Sequence, residues 1–268
     1  MKAALAALVA TGCLAVPDPA GTHYRCDRDP RCPAGFVCDG MTCVASPGAE
    51  PGMVAIPAGT FMMGCPTTAT CRTGEQPEHA VTLAAFAIEQ TEVSQVDYMA
   101  CTACTLPPSF VPDADPKTPM RFVEWAQATA YCAFRGRRLP SEAEWERAAR
   151  VMEHPFPWGD TPAPDCAHAI AAGCPGPVAV DTASQGDAPG PVHHLLGNVR
   201  EWVDDAYDPA FYASAAAATN PHSAGPDDND RVLRGGSFMT APGDLAVWRR
   251  DHLDRKQHVA DIGIRCAK

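Results

Sequence analysis

Thirteen cysteines in 268 residues, most of them close together in the chain, restrict this sequence more than any other feature. Cys26, Cys32, Cys38 and Cys43 form one group; Cys65 lies near Cys71, Cys101 near Cys104 and Cys166 near Cys174, while Cys132 and Cys266 are far apart. Cys13 stands alone near the N-terminus, and none falls between Cys174 and Cys266. In an oxidising compartment such a set closes disulfides, whereas in a reducing one it would serve metal binding or redox chemistry. Spacing does not fix connectivity, so the pairing stays open here.

The residues before Cys13 agree with export. MKAALAALVATGC places Lys2 ahead of an apolar stretch from Ala3 to Ala10, then Thr11-Gly12-Cys13, and it resembles a bacterial lipoprotein signal in which small residues precede an acylated Cys. The expectation is a signal over 1–13 with Cys13 lipidated; the alternatives are another secretory signal or a start with no targeting role. With Cys13 carrying lipid, an even set of twelve cysteines remains. On this reading the chain is exported, lipid-anchored in the bacterial cell envelope, and meets a membrane through that anchor only. No apolar run reaches the roughly 18 residues of a membrane span.

The net charge of −11 excludes nucleic acid as a partner, because no Lys/Arg cluster offsets it along a phosphate backbone. Hydrophobic content of 46% and charged content of 20% are those of an ordinary globular protein. With 21 Gly and 27 Pro, many turns and long loops follow.

Residues 24–44 read as a small Cys-rich unit. About twenty residues enclose no real core, so two disulfides among Cys26, Cys32, Cys38 and Cys43 would hold it, with a zinc knuckle as the rival. ASPGAEP, 45–51, reads as a linker, and 52–268 as the large domain. MVAIPAGTFMMG suggests two short strands around Pro57–Gly59, and AVTLAAFAIEQTEV a further strand region with Val81, Leu83, Phe86 and Ile88 inward. A helix is expected after Ser94, its N-cap, with Asp97 three residues on. A second follows Pro119, with Phe122, Trp125, Ala126, Thr129, Ala130 and Ala133 on one face and Gly136 ending it. In LPSEAEWERAAR, Ser141 and Glu144 form a capping box, Glu142 and Glu144 suit the helix start, and Arg147 and Arg150 suit its end. Trp145, Ala148, Ala149 and Met152 are spaced to face the core. Residues 153–230 are rich in turn signals. The fold class is α+β with little regular secondary structure.

Isolated chemistry is sparse. His193-His194 with Glu201 could be set against a transition metal, although adjacent histidines usually point apart. Cys101-Thr102-Ala103-Cys104 has redox spacing but lies toward the end of a helix, which favours a structural disulfide. Ser237 has no evident base and is expected to cap backbone. Arg249, Arg250 and Asp251 would line a polar groove or a solvated face. Met63 and Met239 are soft donors but read as core fillers.

The ordered set MVAIPAGTFMMG, EQPEHAVTLAAFAIEQTEVSQVDY, TPMRFVEWAQATAYCAFRGRRLPSEAEWERAAR, FPWGD, GNVREW, RVLRGGSF and DIGIRCAK resembles the formylglycine-generating enzyme family, also called the sulfatase-modifying factor family. The resemblance runs from about Gly52 to Lys268. It implies a variant of the C-type lectin fold, with Trp145, Trp158 and Trp202 as anchors and Gly235-Gly236 as a close-approach point. It implies a Cys132–Cys266 disulfide, because family members commonly join the cysteine of AYC to that of the final GxRC. It also implies oxidation of a cysteine in a sulfatase peptide, with oxygen and with copper held by two cysteines after GGS. Those positions fall at Thr240 and near Leu245, neither of which is a thiolate, so copper is not expected. Family calcium would draw on Gly197, Val199 and Glu201, with His194 where Asn or Asp is usual.

The resulting expectation is an exported domain of this family that does not form formylglycine and acts as a binding or structural module toward an unknown ligand or envelope protein. It needs no cofactor, calcium being the one possibility. The alternative is an oxidoreductase of the same family, acting on a protein or peptide-derived substrate without the cysteine pair.

Overall fold

The computed structural model describes residues 50–268 except 109, 151–152, 189–191 and 226–229, together with strands 24–25, 36–39 and 42–45. Strands β1 (Tyr24–Arg25), β2 (Phe36–Asp39) and β3 (Thr42–Ala45) pair antiparallel in the order β1-β3-β2, with Cys38 and Cys43 opposite one another in the register. Cys13, Cys26, Cys32, the expected signal 1–13, most of the linker 45–51 and Met152 lie outside the described residues.

The large domain opens with two antiparallel ladders. β4 (Met53–Ile56) pairs with β7 (Phe86–Glu89), and β5 (Gly59–Met63) with β6 (His79–Leu83). Val81, Leu83, Phe86 and Ile88 point inward, as their spacing predicts. The organising sheet has four strands in the order β10-β9-β8-β11, with β8 Arg200–Ala206, β9 Arg231–Arg234, β10 Asp251–Leu253 and β11 Ile262–Gly263. Successive side chains of a strand face opposite ways. Val203 of β8 and Val232 of β9 therefore enter one core with Trp145, while Trp202 and Leu233 enter a second core with Tyr98, Tyr131 and Ile264. The β8–β9 pair is the partition between two cores, which explains why its sequence lacks an exposed face.

Three short α-helices flank this frame. α1 (Gln95–Met99) starts at Ser94, whose Oγ accepts the Asp97 N–H at 3.1 Å. α3 (Glu142–Ala149) has the expected capping box: Ser141 N–H donates to Glu144 Oε2 at 2.8 Å and Glu144 N–H to Ser141 Oγ at 3.2 Å. α2 (Trp125–Phe134) departs from expectation. It begins only after Phe122, whose φ of 61° lies in the left-handed region, and Glu124 caps it. The buried face is Gln127, Ala128, Tyr131 and Cys132; Ala126, Ala130 and Ala133 are exposed. Tyr131 stacks on Tyr98 at 5.3 Å and Cys132 bonds Cys266, and these large contacts outweigh a stripe of alanines. Trp145 and Trp202 are fully buried anchors, whereas Trp158 is only half-buried and stacks on Phe156 at the periphery.

Disulfides join Cys65–Cys71, Cys101–Cys104, Cys166–Cys174 and Cys132–Cys266. The last closes a separation of 134 residues and, with Lys268 exchanging backbone hydrogen bonds with Ala87, ties the C-terminus into the frame.

Candidate functional site

The segment from β8 through the turn after β9 brings the motif residues together. At Gly197, φ is 82° and a Cβ would lie 2.6 Å from the Ile170 carbonyl oxygen, so only glycine fits there. That close approach lets Asn198 reach Glu92, its Nδ2 donating to Oε2 at 2.6 Å, while Val199 N–H donates to Oε1 at 3.2 Å. Burial pushes Glu92 up to about 8, against the pull of Arg265. Glu201 is next in space. Its Oε2 accepts Trp145 Nε1–H at 2.6 Å, and its carboxylate takes Arg265 through Nε at 3.0 Å and through NH2 at 2.7 Å.

Of the expected calcium ligands, Glu201 is therefore committed to a guanidinium, while Gly197 and Val199 donate their N–H groups to the Gly235 carbonyl and to Glu92. Arg265 is fully buried and already neutralises the carboxylate a cation would need. His194 stands where the family resemblance expects an oxygen ligand, is 3% exposed, and has only the Thr182 backbone as a polar neighbour, without a hydrogen bond of ordinary geometry to either ring nitrogen among the described residues. A hard cation wants oxygen and negative charge, and this donor set does not fit calcium. The pairing of His193, His194 and Glu201 around a transition metal fares no better. His193 Nδ1 bonds Asp187 at 2.6 Å, the two imidazole centroids stand 6.3 Å apart, and Glu201 is engaged elsewhere. Among the described residues no group of three or more His, Cys, Asp or Glu is arranged to hold a metal ion.

Burial lowers His194 to about 4; Asp187 opposes the shift, and Arg265 and His193 add to it. Its folded value lies below the ordinary 6.5, so the unfolded chain takes the proton first. Stability present above pH 6.5 is then lost as pH falls toward 4, by about 2 kcal/mol at pH 5. Buried Glu92 and Asp205, the latter pushed up to about 7, act in the opposite sense, favouring the fold at low pH. They are common to wild type and His194→Asn, so urea midpoints of the two proteins at pH 7 and pH 5 isolate the histidine. The variant should lose about 2 kcal/mol less than wild type over that interval; equal losses would show that His194 titrates as freely folded as unfolded.

The turn after β9 forms the second half of the site. A Cβ on Gly236 would lie 2.3 Å from Leu245 Cδ2, and its φ is 68°, so the chain pair Gly235-Gly236 is what lets Leu245 close down on the backbone. Thr240 Oγ1 accepts the Ser237 N–H at 2.9 Å. Ser237 does cap backbone, accepting Met239 N–H at 3.1 Å, and its hydroxyl also donates to Asp261 at 2.7 Å. Asp261 is held in turn by Arg200 through Nε at 3.0 Å and NH2 at 2.8 Å, so it is no free base for the serine. Met63 is a core residue, but Met239 is 62% exposed beside the turn, contrary to its reading as a filler.

Behind the turn lies an ion network that local sequence reasoning missed. Arg234 donates to Glu146 Oε2 at 2.5 Å and to Glu142 Oε1 at 3.2 Å. Arg250 grips Glu142 through Nε at 2.6 Å and NH2 at 2.8 Å, and Arg150 holds Glu146 at 2.7 Å. Arg250 is thus buried, not on a groove or solvated face, and Glu142 is a central ion-pair partner as well as a first-turn residue. Such pairs hold the GGS turn against α3, with charges compensated where water is absent. Arg249, half-buried, donates to Glu75 at 2.8 Å. In front of the turn is a narrow depression of ≈ 10 Å³, room for about one water, lined by Gly235, Gly236, Thr240 and Leu245 together with Arg72, Asp244 and Asp251.

Fold and site together define a loop-rich α+β scaffold of the C-type-lectin-like kind, with a narrow glycine-lined depression beside a buried ionic frame. The chain belongs to the formylglycine-generating enzyme family: residues 42–268 match the Sulfatase-modifying factor enzyme 1-like domain. It is 28% identical over 322 residues to the formylglycine-generating enzyme of Mus musculus, covering 96% of this chain and 85% of that protein. It is 31% identical over 165 residues to the mouse inactive C-alpha-formylglycine-generating enzyme 2, covering 56% and 48% respectively. The structure of PvdO from Pseudomonas aeruginosa superposes with a TM-score of 0.68 at 23% identity, covering 82% of this chain and 99% of that one, a likeness of fold. The family contains enzymes and inactive paralogues alike.

Proposed function

We propose that this chain is a binding or structural module of the family and does not form formylglycine. One observation carries the reading. The two positions that the family resemblance assigns to copper thiolates hold Thr240, whose hydroxyl is committed to the Ser237 N–H, and Leu245, which is 4% exposed and packed over Gly236. Neither supplies the soft, charged sulfur that Cu(I) requires. Above them is a narrow depression of ≈ 10 Å³, room for about one water. Its polar groups sit on the rim, the arrangement of recognition rather than of convergent catalysis. We place the protein outside the cytoplasm, lipid-anchored at Cys13 in a bacterial envelope, on the strength of its signal-like N-terminus and its four disulfides among the described residues. The ligand is then a small molecule or an envelope protein.

The test is incubation of the full chain with copper, oxygen and a cysteine peptide of the sulfatase type, beside an active family enzyme. The peptide mass is expected to stay unchanged with this chain. Conversion to the aldehyde would overturn the reading and require copper to be held by other groups.

A further inference from the structure

We infer that the Cys166–Cys174 disulfide is a thiol-exchange site whose substrate class is a small dithiol, that Cys166 is the sulfur attacked, and that reduction loosens the loop it closes from the Gly197 and GGS turns. Four disulfides join described residues, and they differ in their access to solvent. Cys132 and Cys266 are both fully buried. Cys65 is buried and Cys71 half-buried; Cys101 is buried and Cys104 half-buried. Cys174 is half-buried too, but Cys166 is exposed, so among the described residues this bridge alone has an exposed half-cystine. Exchange needs a thiolate to reach one of the two sulfurs, so access selects the bridge that reacts, and exposed disulfides are the labile class. The Sγ of Cys174 lies 3.8 Å from the Ala169 carbonyl and is the less accessible of the pair, which makes it the leaving group.

The loop that the bridge closes lies across both motif turns. Its Ile170 carbonyl accepts the Asn198 N–H at 2.8 Å, and its Ala172 N–H donates to the Thr240 carbonyl at 2.9 Å. The start of the loop is fixed by Asp165, whose Oδ1 accepts Ala167 N–H at 3.0 Å and His168 N–H at 3.1 Å and bonds His168 Nδ1 at 2.7 Å. Beyond its end, Val178 N–H donates to Asn198 Oδ1 at 3.0 Å. Between these ties the buried side chains are Ala169, Ile170 and Ala171, little apolar area to keep the loop down once the bridge opens. In the exchange, a thiolate of the dithiol bonds Cys166 Sγ, the bond to Cys174 breaks, and Cys174 Sγ leaves with the electron pair and takes up a proton. The second thiol of the dithiol, having given up its proton, then displaces Cys166 Sγ from the mixed disulfide, and Cys166 is protonated. Two electrons pass to the bridge, which ends as two thiols, and the dithiol ends as a disulfide.

The experiment treats the folded full chain with dithiothreitol for increasing times, blocks free thiols with iodoacetamide, and locates the label by peptide mass spectrometry. Cys166 and Cys174 are expected to be labelled roughly tenfold faster than the six cysteines of the other three described bridges. Glutathione, a monothiol that stops at the mixed disulfide, should be trapped on Cys166 and not on Cys174. Hydrogen exchange reads the consequence: in peptides covering 170–174 and 196–199, protection should fall by about tenfold on reduction and return on reoxidation. A chain carrying Cys166→Ser and Cys174→Ser should show the same loss without any reductant, with its circular dichroism and the protection of β8 and β9 unchanged. Reduction of another described bridge first, or glutathione on Cys174, would overturn the assignment of the site. Unchanged exchange at those peptides after reduction would overturn the loosening of the loop and make the bridge an inert staple. None of these readouts depends on the peptide assay for aldehyde, so this inference and the binding reading fail separately.

Discussion

Replacing Arg265 with Met is expected to destabilise the fold by about 3–5 kcal/mol, the usual cost of leaving one member of a buried ion pair without its partner. The guanidinium is fully buried, donates to both oxygens of Glu201, and also serves the Glu89 carbonyl at 3.0 Å and the His193 carbonyl at 2.8 Å. Removing it leaves a carboxylate in the interior with only Trp145 to satisfy it, and two carbonyls without this donor. Adding Glu201→Gln in the same chain should restore a large part of the loss, because a neutral amide keeps the Trp145 hydrogen bond without a stranded charge. Urea midpoints of the wild type, both single variants and the double variant measure the coupling. Additive losses in the double variant would show that Arg265 and Glu201 stabilise the fold independently. The same residues explain why the site does not suit calcium: the countercharge is built into the chain.

The second large effect belongs to the Cys132–Cys266 bridge. Replacing both cysteines with Ala is expected to cost about 5 kcal/mol, as loss of a closed loop of that length does on the chain-entropy model. The separation is 134 residues, against 6 for Cys65–Cys71. The short bridge, treated in the same way, should cost only about 2 kcal/mol. Both sulfurs of the long bridge are buried in the core that contains Trp202 and Tyr131, so the alanines also leave unfilled volume. Denaturant midpoints of the two double variants decide the matter; a long-bridge variant no less stable than the short-bridge one would show that the loop entropy is offset elsewhere.

These two devices differ in how far the sequence announced them. The Cys132–Cys266 pairing was carried by the resemblance of the AYC and GIRC motifs, whereas charge pairing, apart from the i,i+4 pair Glu146–Arg150, carried no local signal. Glu142 meets Arg250 across 108 residues, and Glu201 meets Arg265 across 64. Nothing in the spacing of an isolated Glu and Arg states that they will share an interior site, because Coulomb attraction has no periodicity. Glu142 was legible as a helix-start residue and Arg250 as a polar residue near the surface; their burial depends on the β8–β9 pair being closed on both faces. The same cause explains α2. Alanine at a regular interval marks a possible face, but the face chosen was the one bearing Tyr131 and Cys132, whose partners Tyr98 and Cys266 come from other elements. Arg72 was not singled out at all, since an arginine in a disulfide-closed loop looks solvated until the fold sets Asp244 and Asp251 in front of it.

By itself the sequence determined what depends on short range or on residue type. The capping box of Ser141 and Glu144 is local hydrogen bonding, the inward set Val81, Leu83, Phe86 and Ile88 is strand alternation, and Gly235-Gly236 is a backbone that admits no Cβ. The lack of thiolates at Thr240 and Leu245 is likewise a property of the residues alone. Only the tertiary structure decided which charges meet, which side of α2 is buried, and that the depression before the GGS turn is bridged by a side chain from a distant loop. Those outcomes are set by packing two cores against one strand pair, and in that enclosure the loss of water makes each unpaired charge too costly to leave alone.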